Sequence, residues 1–178
     1  MTIKKATGPQ AGLTLIELMV VLFILAVVNA LAGPALAETI KRNQLRSAAE
    51  RVLLSLNLAR SEAVKRNQTV SICRSTNGSS CGGSWEDGWI VFSNLDADDV
   101  VDSGVDEVIR VFDNVLDGHD LAGTVGNDTL SYSADGSYSG GSDTMRICSA
   151  DLSLDHSWTV TVNTVGRPRA SIGASSCS

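Results

Sequence analysis

"GLTLIELMVVLFILAVV", residues 12–28, is an apolar run long enough to enter a membrane, yet a glutamate, Glu17, is set near its front. A carboxylate at mid-bilayer costs about 2.5–3.5 kcal/mol on insertion scales, and less toward the ends. An acid in such a place needs a function and a partner. Lys4 and Lys5 precede the run, with no acid before Glu17, which orients the lysine end toward the cytoplasm. Residues 18–37 give twenty mostly apolar positions, about the length of a single-span anchor. A secretory signal peptide is the competing reading, because "NALAGPALAE" offers A-x-A-like sites ending at Ala32 and Ala37. Neither reading explains Glu17, or a helical periodicity that continues past Ala37.

The 178 residues allow one ordinary domain beyond the apolar segment. Cys73, Cys81, Cys148 and Cys177 all follow that segment and include no CxxC pair, so disulfides in an oxidising compartment fit better than zinc or a redox motif. Three connectivities are possible; Cys73 with Cys81 across a tight loop and Cys148 with Cys177 closing the last strands are favoured. The net charge of −6 conceals an asymmetry. Residues 41–66 carry seven basic side chains against Glu50 and Glu62, whereas residues 85–155 carry sixteen acids against Arg110 and Arg146. That acidic stretch repels nucleic acid, so any DNA contact must come from a local patch.

Beyond Pro34 the pattern turns amphipathic. Leu45, Ala49, Val52, Leu56, Ala59 and Ala63 step by four and three, which keeps one apolar stripe toward a core. Glu38 with Arg42 and Glu62 with Arg66 sit four apart in the favourable order. Residues 13–67 thus read as one kinked helix. "TVSICR", "GWIVFS", "EVIRVF", "TLSYS", "TMRICS" and "WTVTVN" read as strands between turn residues, with a last strand at "RPRASI". The expected class is α+β, a long N-terminal helix packed on an antiparallel β domain.

"GLTLIELMVVL" closely resembles the class III leader junction of type IV pilins and type II secretion pseudopilins. The resemblance implies a prepilin peptidase that cuts after Gly12 at the cytoplasmic face and methylates Leu13, where Phe is usual. It implies that Glu17 docks a subunit into the filament by facing a neighbour's charged amino terminus, and that Pro34 kinks the helix. Two opposite charges meeting in a low dielectric attract strongly enough to offset desolvation. The domains expected are a leader at 1–12, a transmembrane and filament-core helix at 13–37, an amphipathic half at 38–67 and the β domain at 68–178. "SICRSTNGSSC", "WEDGWIVFSNLDADD" and "EVIRVF" resemble the FimT/FimU minor pilins and the related GspH pseudopilins. That implies an inner-membrane subunit with a periplasmic domain, other minor and major pilins as partners, and a role in priming assembly.

No GxSxG, HExxH, P-loop or dinucleotide fingerprint occurs, so neither catalysis nor a cofactor is expected. His119 and His156 read as loop residues. In "DADDVVDSGVDE", Asp96, Asp98, Asp102 and Glu107 match positions 1, 3, 7 and 12 of an EF-hand loop. Val100 and Val101 break that pattern, and a solvated turn is favoured over calcium, with no metal site expected. Trp85, Trp89 and Trp158 read as core more than as base-stacking groups. In "GRPR", residues 166–169, Pro168 suits an edge or loop. Alternate residues of an extended chain share a face, so Arg167 and Arg169 can present two guanidinium forks to neighbouring phosphates. Pairing with some of the sixteen acids is the simpler expectation from the residues alone. The motif, Gly166 included, resembles the GRxR signature of FimT-type minor pilins, which implies non-specific DNA contact during uptake in natural transformation. The alternatives carried forward are a GspH-type pseudopilin serving protein export and a soluble secreted binding protein.

Overall fold

Thr14 opens helix α1, Leu15–Arg66, in a computed structural model that describes residues 14–113, 120–123, 129–149, 152–174 and 176, the side chains of 29–35 and 120–123 excepted. The Thr14 hydroxyl accepts the Glu17 N–H at 3.4 Å, and its carbonyl accepts the Leu18 N–H at 3.2 Å. The first satisfies a first-turn donor that has no partner inside the helix, and the second is the first bond of the helical ladder. Thr14 and Glu17 stand at capping-box spacing, where the helix dipole also favours an acid. At the other end Asn67 takes a left-handed φ of 53°, and the Gln68 N–H donates to the Ala63 carbonyl at 3.2 Å. This is a Schellman closure with asparagine in glycine's usual place.

The chain divides into two units, Met1–Ile40 and Lys41–Ser178. In the first, the side chains of residues 14–28 are all exposed, Glu17 among them. Among the described residues no helix is long and apolar enough to cross a membrane. The expected span, 18–37, includes 29–35, whose side chains lie outside the description; Pro34 is among these. Gly12 and Leu13 also lie outside the described residues.

In the second unit the predicted stripe is the helix face of the core: Leu45, Ala49, Val52, Leu56, Ala59 and Ala63 are each at most 2% exposed. Small alanines at three of these positions let the helix lie close to the strands. Among the described residues the β structure forms two four-stranded antiparallel sheets. The first has order β3-β2-β1-β5, with β1 Val70–Arg74, β2 Gly88–Ser93, β3 Val108–Asp113 and β5 Thr129–Tyr132. The second has order β4-β6-β7-β8, with β4 Asp120–Gly123, β6 Asp143–Cys148, β7 Trp158–Val162 and β8 Pro168–Ile172. The helix covers both, because Val70, Val91 and Leu130 of the first sheet and Met145, Ile147 and Val160 of the second join its stripe in one cluster.

Period-two alternation sorts β2: Trp89 and Val91 join that cluster, whereas Ile90 and Phe92 pack with Cys73 in a second one. The whole strand is therefore buried on both faces. Strand β4 escapes sequence-based prediction, since Asp-Leu-Ala-Gly has neither alternation nor a β-branched residue. A 3-10 turn, Leu154–His156, also interrupts the expected loop before β7.

Candidate functional site

Among the described residues strand β8 is the outer strand of its sheet and pairs only with β7, with Thr161 opposite Arg169 and Val162 opposite Pro168. Pro168 as the first strand residue removes a donor where the edge needs none. The hairpin connection is held by the Gly166 N–H to the Asn163 carbonyl at 2.8 Å and by the Arg167 N–H to Asn163 Oδ1 at 2.9 Å. Gly166 is buried at φ +76°, and a Cβ there would lie 2.1 Å from the Gly136 carbonyl oxygen. Only glycine meets both conditions. The first letter of the GRPR motif is therefore fixed by backbone packing.

The second and fourth letters point outward. Arg167 and Arg169 are exposed, and among the described residues neither guanidinium has a hydrogen-bond or ion-pair partner. The expected pairing with acids is thus not seen among the described residues; Asp117, Asp128 and Asp151 lie outside them. Two acids just before β3 are engaged elsewhere: Glu107 takes Arg66 Nη1 at 2.6 Å, and Asp106 accepts the N–H groups of Leu95 and Asp102. A third cation, absent from the motif reading, stands beside the turn. Arg60 of α1 donates from Nε to the Gly136 carbonyl at 3.0 Å and from Nη2 to the Val165 carbonyl at 3.2 Å. It borders an open groove of about 430 Å³ with Asn57, Ser61, Val64 and Lys65. Its partners are 76 and 105 residues away in sequence, and no local pattern announces them.

Below the turn the polar groups are nearly sealed. Tyr132 is fully buried and its hydroxyl has no partner among the described residues; burial drives its pKa far up, which the charge of Arg60 partly opposes. Tyr138 stacks edge-on to Tyr132 at 5.7 Å and donates to the Asp143 carboxylate. Its pKa also rises, first through burial and then through that bond.

The basic residues at the end of α1 and on β1 differ from the hairpin arginines. Lys65 and Arg66 both bond Glu62, at 3.2 and 2.7 Å, which holds the Glu62 carboxyl below its usual range, chiefly through Arg66. Arg74 belongs to β1, in the other sheet. Trp158 is half-buried and borders a hollow with Arg42, Arg46, His156 and Ile172, whereas Trp85 and Trp89 are core. His119 lies outside the described residues.

The acidic loop brings Asp96, Asp98 and Asp102 together, with their carboxylate oxygens within 4.8 Å of one another. Repulsion from Asp98, foremost, raises the Asp102 pKa. Glu107, the twelfth EF-hand position, is turned to Arg66 instead. The Cys73–Cys81 bond forms, with the α-carbons 5.6 Å apart. Cys148 is disulfide-bonded as well; its expected partner, Cys177, lies outside the described residues.

The profile of a family described as type II transport protein GspH matches residues 48–166, ending one residue before Arg167. The prokaryotic N-terminal methylation motif matches residues 8–32. No curated protein matches the chain. Among solved structures, the type IV minor pilin FimU of Pseudomonas aeruginosa superposes with a TM-score of 0.62 at 22% identity, over 78% of this chain and 98% of that one. The minor pseudopilin EpsH of the type 2 secretion system of Vibrio cholerae superposes at 0.52 and 15% identity, over 72% and 97%.

Proposed function

The chain belongs to the GspH family, and on that premise we propose that it is a minor type IV pilin that also touches DNA. Prepilin peptidase removes residues 1–12 at the inner membrane and methylates Leu13, in keeping with the methylation-motif match over residues 8–32. The helix then serves as anchor and, after extraction, as filament core, with the β domain on the periplasmic side. Its role is structural and non-catalytic: with other minor and major pilins it primes assembly. Glu17 acts as the latch, and its place in the first turn leaves its exposed carboxylate near the start of the helix, within reach of a neighbour's amino terminus.

One observation carries the second role. In a chain of net charge −6, Arg167 and Arg169 stand exposed on an edge hairpin with no carboxylate partner among the described residues. Unpaired guanidinium forks suit phosphate oxygens, and phosphate contacts carry no sequence information, so the contact is independent of sequence. The test is retardation of an arbitrary DNA duplex by the full-length chain in a zwitterionic detergent, at low salt. Wild type retards the duplex and Arg167→Ala/Arg169→Ala does not; equal retardation by both would sink this role.

The second reading, a pseudopilin whose partner is exported protein, is favoured by the family's description and by the likeness to EpsH. Deleting the gene separates the two: loss of pili supports the first reading, and loss of protein export with pili intact supports the second.

A further inference from the structure

At the end of the β7–β8 hairpin opposite the GRPR turn, a hollow of about 260 Å³ is lined by Arg42, Asn43, Arg46, His156, Trp158 and Ile172. The register explains how the strand residues come there. Trp158, the first residue of β7, stands opposite Ile172, the last of β8. Val160 and Val162 pack into the core with the stripe of α1, so alternation turns Trp158 and Ile172 toward the helix as well. Arg42 and Arg46 stand one turn apart on α1 and share a face. No carboxylate lines the hollow among the described residues. Arg46 gives its Nε to Glu50 at 2.8 Å, but both side chains are largely exposed. Such a pair contributes little, and it uses one of the five N–H donors of the guanidinium.

Two guanidinium groups and an indole around a small hollow suit an anion that carries an apolar body. The space is below the about 300–1,000 Å³ of a site for a drug-sized ligand, so one headgroup fits and a larger body lies outside. Ile172 is 67% exposed at the rim, and Trp158 is half-buried. An indole with one apolar and one wet side favours the level of membrane headgroups. The place of the hollow along the chain agrees. Residues 41–46 carry Lys41, Arg42 and Arg46 and no acid. Arg42 follows Ala37, the end of the anchor, by five residues, about 7.5 Å of helix rise. The headgroup layer on each side of the hydrocarbon is about 5–7 Å deep. Helical side chains also lean toward the N-terminus, here the membrane side, which carries both guanidinium groups back toward that layer.

We infer that this hollow takes the phosphate headgroup of an anionic phospholipid of the periplasmic leaflet, and so seats the β domain on the bilayer before the subunit is drawn into a filament. Arg42 and Arg46 hold the phosphate as charged forks, while Trp158 and Ile172 rest on the glycerol and the first acyl carbons. The inference rests on the anchor reading above. It is independent of the DNA contact, because the GRPR turn is held by Arg60, farther along α1.

The test reconstitutes the full-length chain in phosphatidylcholine vesicles containing a small fraction of brominated lipid, either phosphatidylglycerol or phosphatidylcholine, with the bromines near the headgroup end of the acyl chains. Bromine quenches tryptophan only at short range. Trp85 and Trp89 are core, whereas Trp158 is half-buried, so quenching that disappears in Trp158→Phe reports the hollow. Each basic side chain near an anionic surface strengthens association about fivefold. Brominated phosphatidylglycerol should therefore quench Trp158 as if enriched at least about fivefold over brominated phosphatidylcholine. Arg42→Gln/Arg46→Gln, both at exposed positions, should make the two lipids equal. Equal quenching in wild type overturns the inference, and so does a preference that survives the double variant. Loss of the preference on adding a single-stranded oligonucleotide or millimolar inorganic phosphate overturns it too, since nucleic acid or free phosphate would then be the occupant. A chain that does not float with the vesicles after an alkaline wash is a different result, and it overturns the anchor reading itself.

Discussion

Replacing Gly166 by alanine tests whether the arginine hairpin is held by close backbone contact. Two costs are expected. The residue sits at φ +76°, and a left-handed conformation costs a residue with a Cβ about 1–2 kcal/mol. The new Cβ would also stand 2.1 Å from the Gly136 carbonyl and 3.1 Å from the Tyr132 ring. The first neighbour is backbone held by Arg60, so the turn must move, at an overpacking cost of about 1–3 kcal/mol. The sum is about 2–5 kcal/mol. Gly173 supplies the control: φ is +93° but nothing lies within 4 Å of an added Cβ, so only the first cost of about 1–2 kcal/mol applies. In a domain of this size each kcal/mol lowers Tm by about 2–4 °C. Thermal unfolding followed by circular dichroism should therefore place Gly166→Ala clearly below Gly173→Ala. The displaced turn should weaken DNA retardation in the first variant and leave it intact in the second. Equal Tm losses would show that the approach of the two turns does not demand the glycine, and the account of the hairpin would fail.

Three further outcomes are expected. Cys73→Ala/Cys81→Ala opens a loop spanning eight residues, and the chain-entropy relation gives a loss of about 2.5 kcal/mol in denaturant unfolding. The folded-state pKa of Glu62 is lowered, chiefly by Arg66 and then by Lys65, so its contribution is present above the unfolded value of 4.5 and is lost as pH falls through the folded one. Glu62→Gln should accordingly lower Tm at pH 7 and close the gap with wild type toward pH 3. Glu17→Ala removes a side chain that is exposed in the described structure; membrane insertion should persist while recovery in sheared pili falls, and normal recovery would refute the latch.

The helix and most strands were legible because their signals are local. The apolar stripe from Leu45 to Ala63 states its own period, and "GWIVFS" states a strand through β-branched and aromatic residues. The split into two sheets was not legible, since it depends on β5 pairing back to β1 across about 60 residues. Strand β4 is recruited by β6 and carries no pattern of its own. The same division runs through the site. Arg167 and Arg169 were visible as a motif, and Gly166 came with them, although the reason for the glycine lies in Gly136. Arg60 was hidden for the same cause as the sheet order: its partners are brought to it only by the tertiary fold.

The central claim is that DNA settles on the arginine hairpin, and hydrogen–deuterium exchange of the full-length chain with and without duplex DNA tests it most directly. At 50 mM salt, with binding followed by anisotropy on the same sample, exchange should slow at residues 163–172, including the Gly166 and Arg167 amides that bond Asn163. The protection should fade at 200 mM as the phosphate contacts are lost. Bound DNA that leaves residues 163–172 unchanged and protects another surface would contradict the account.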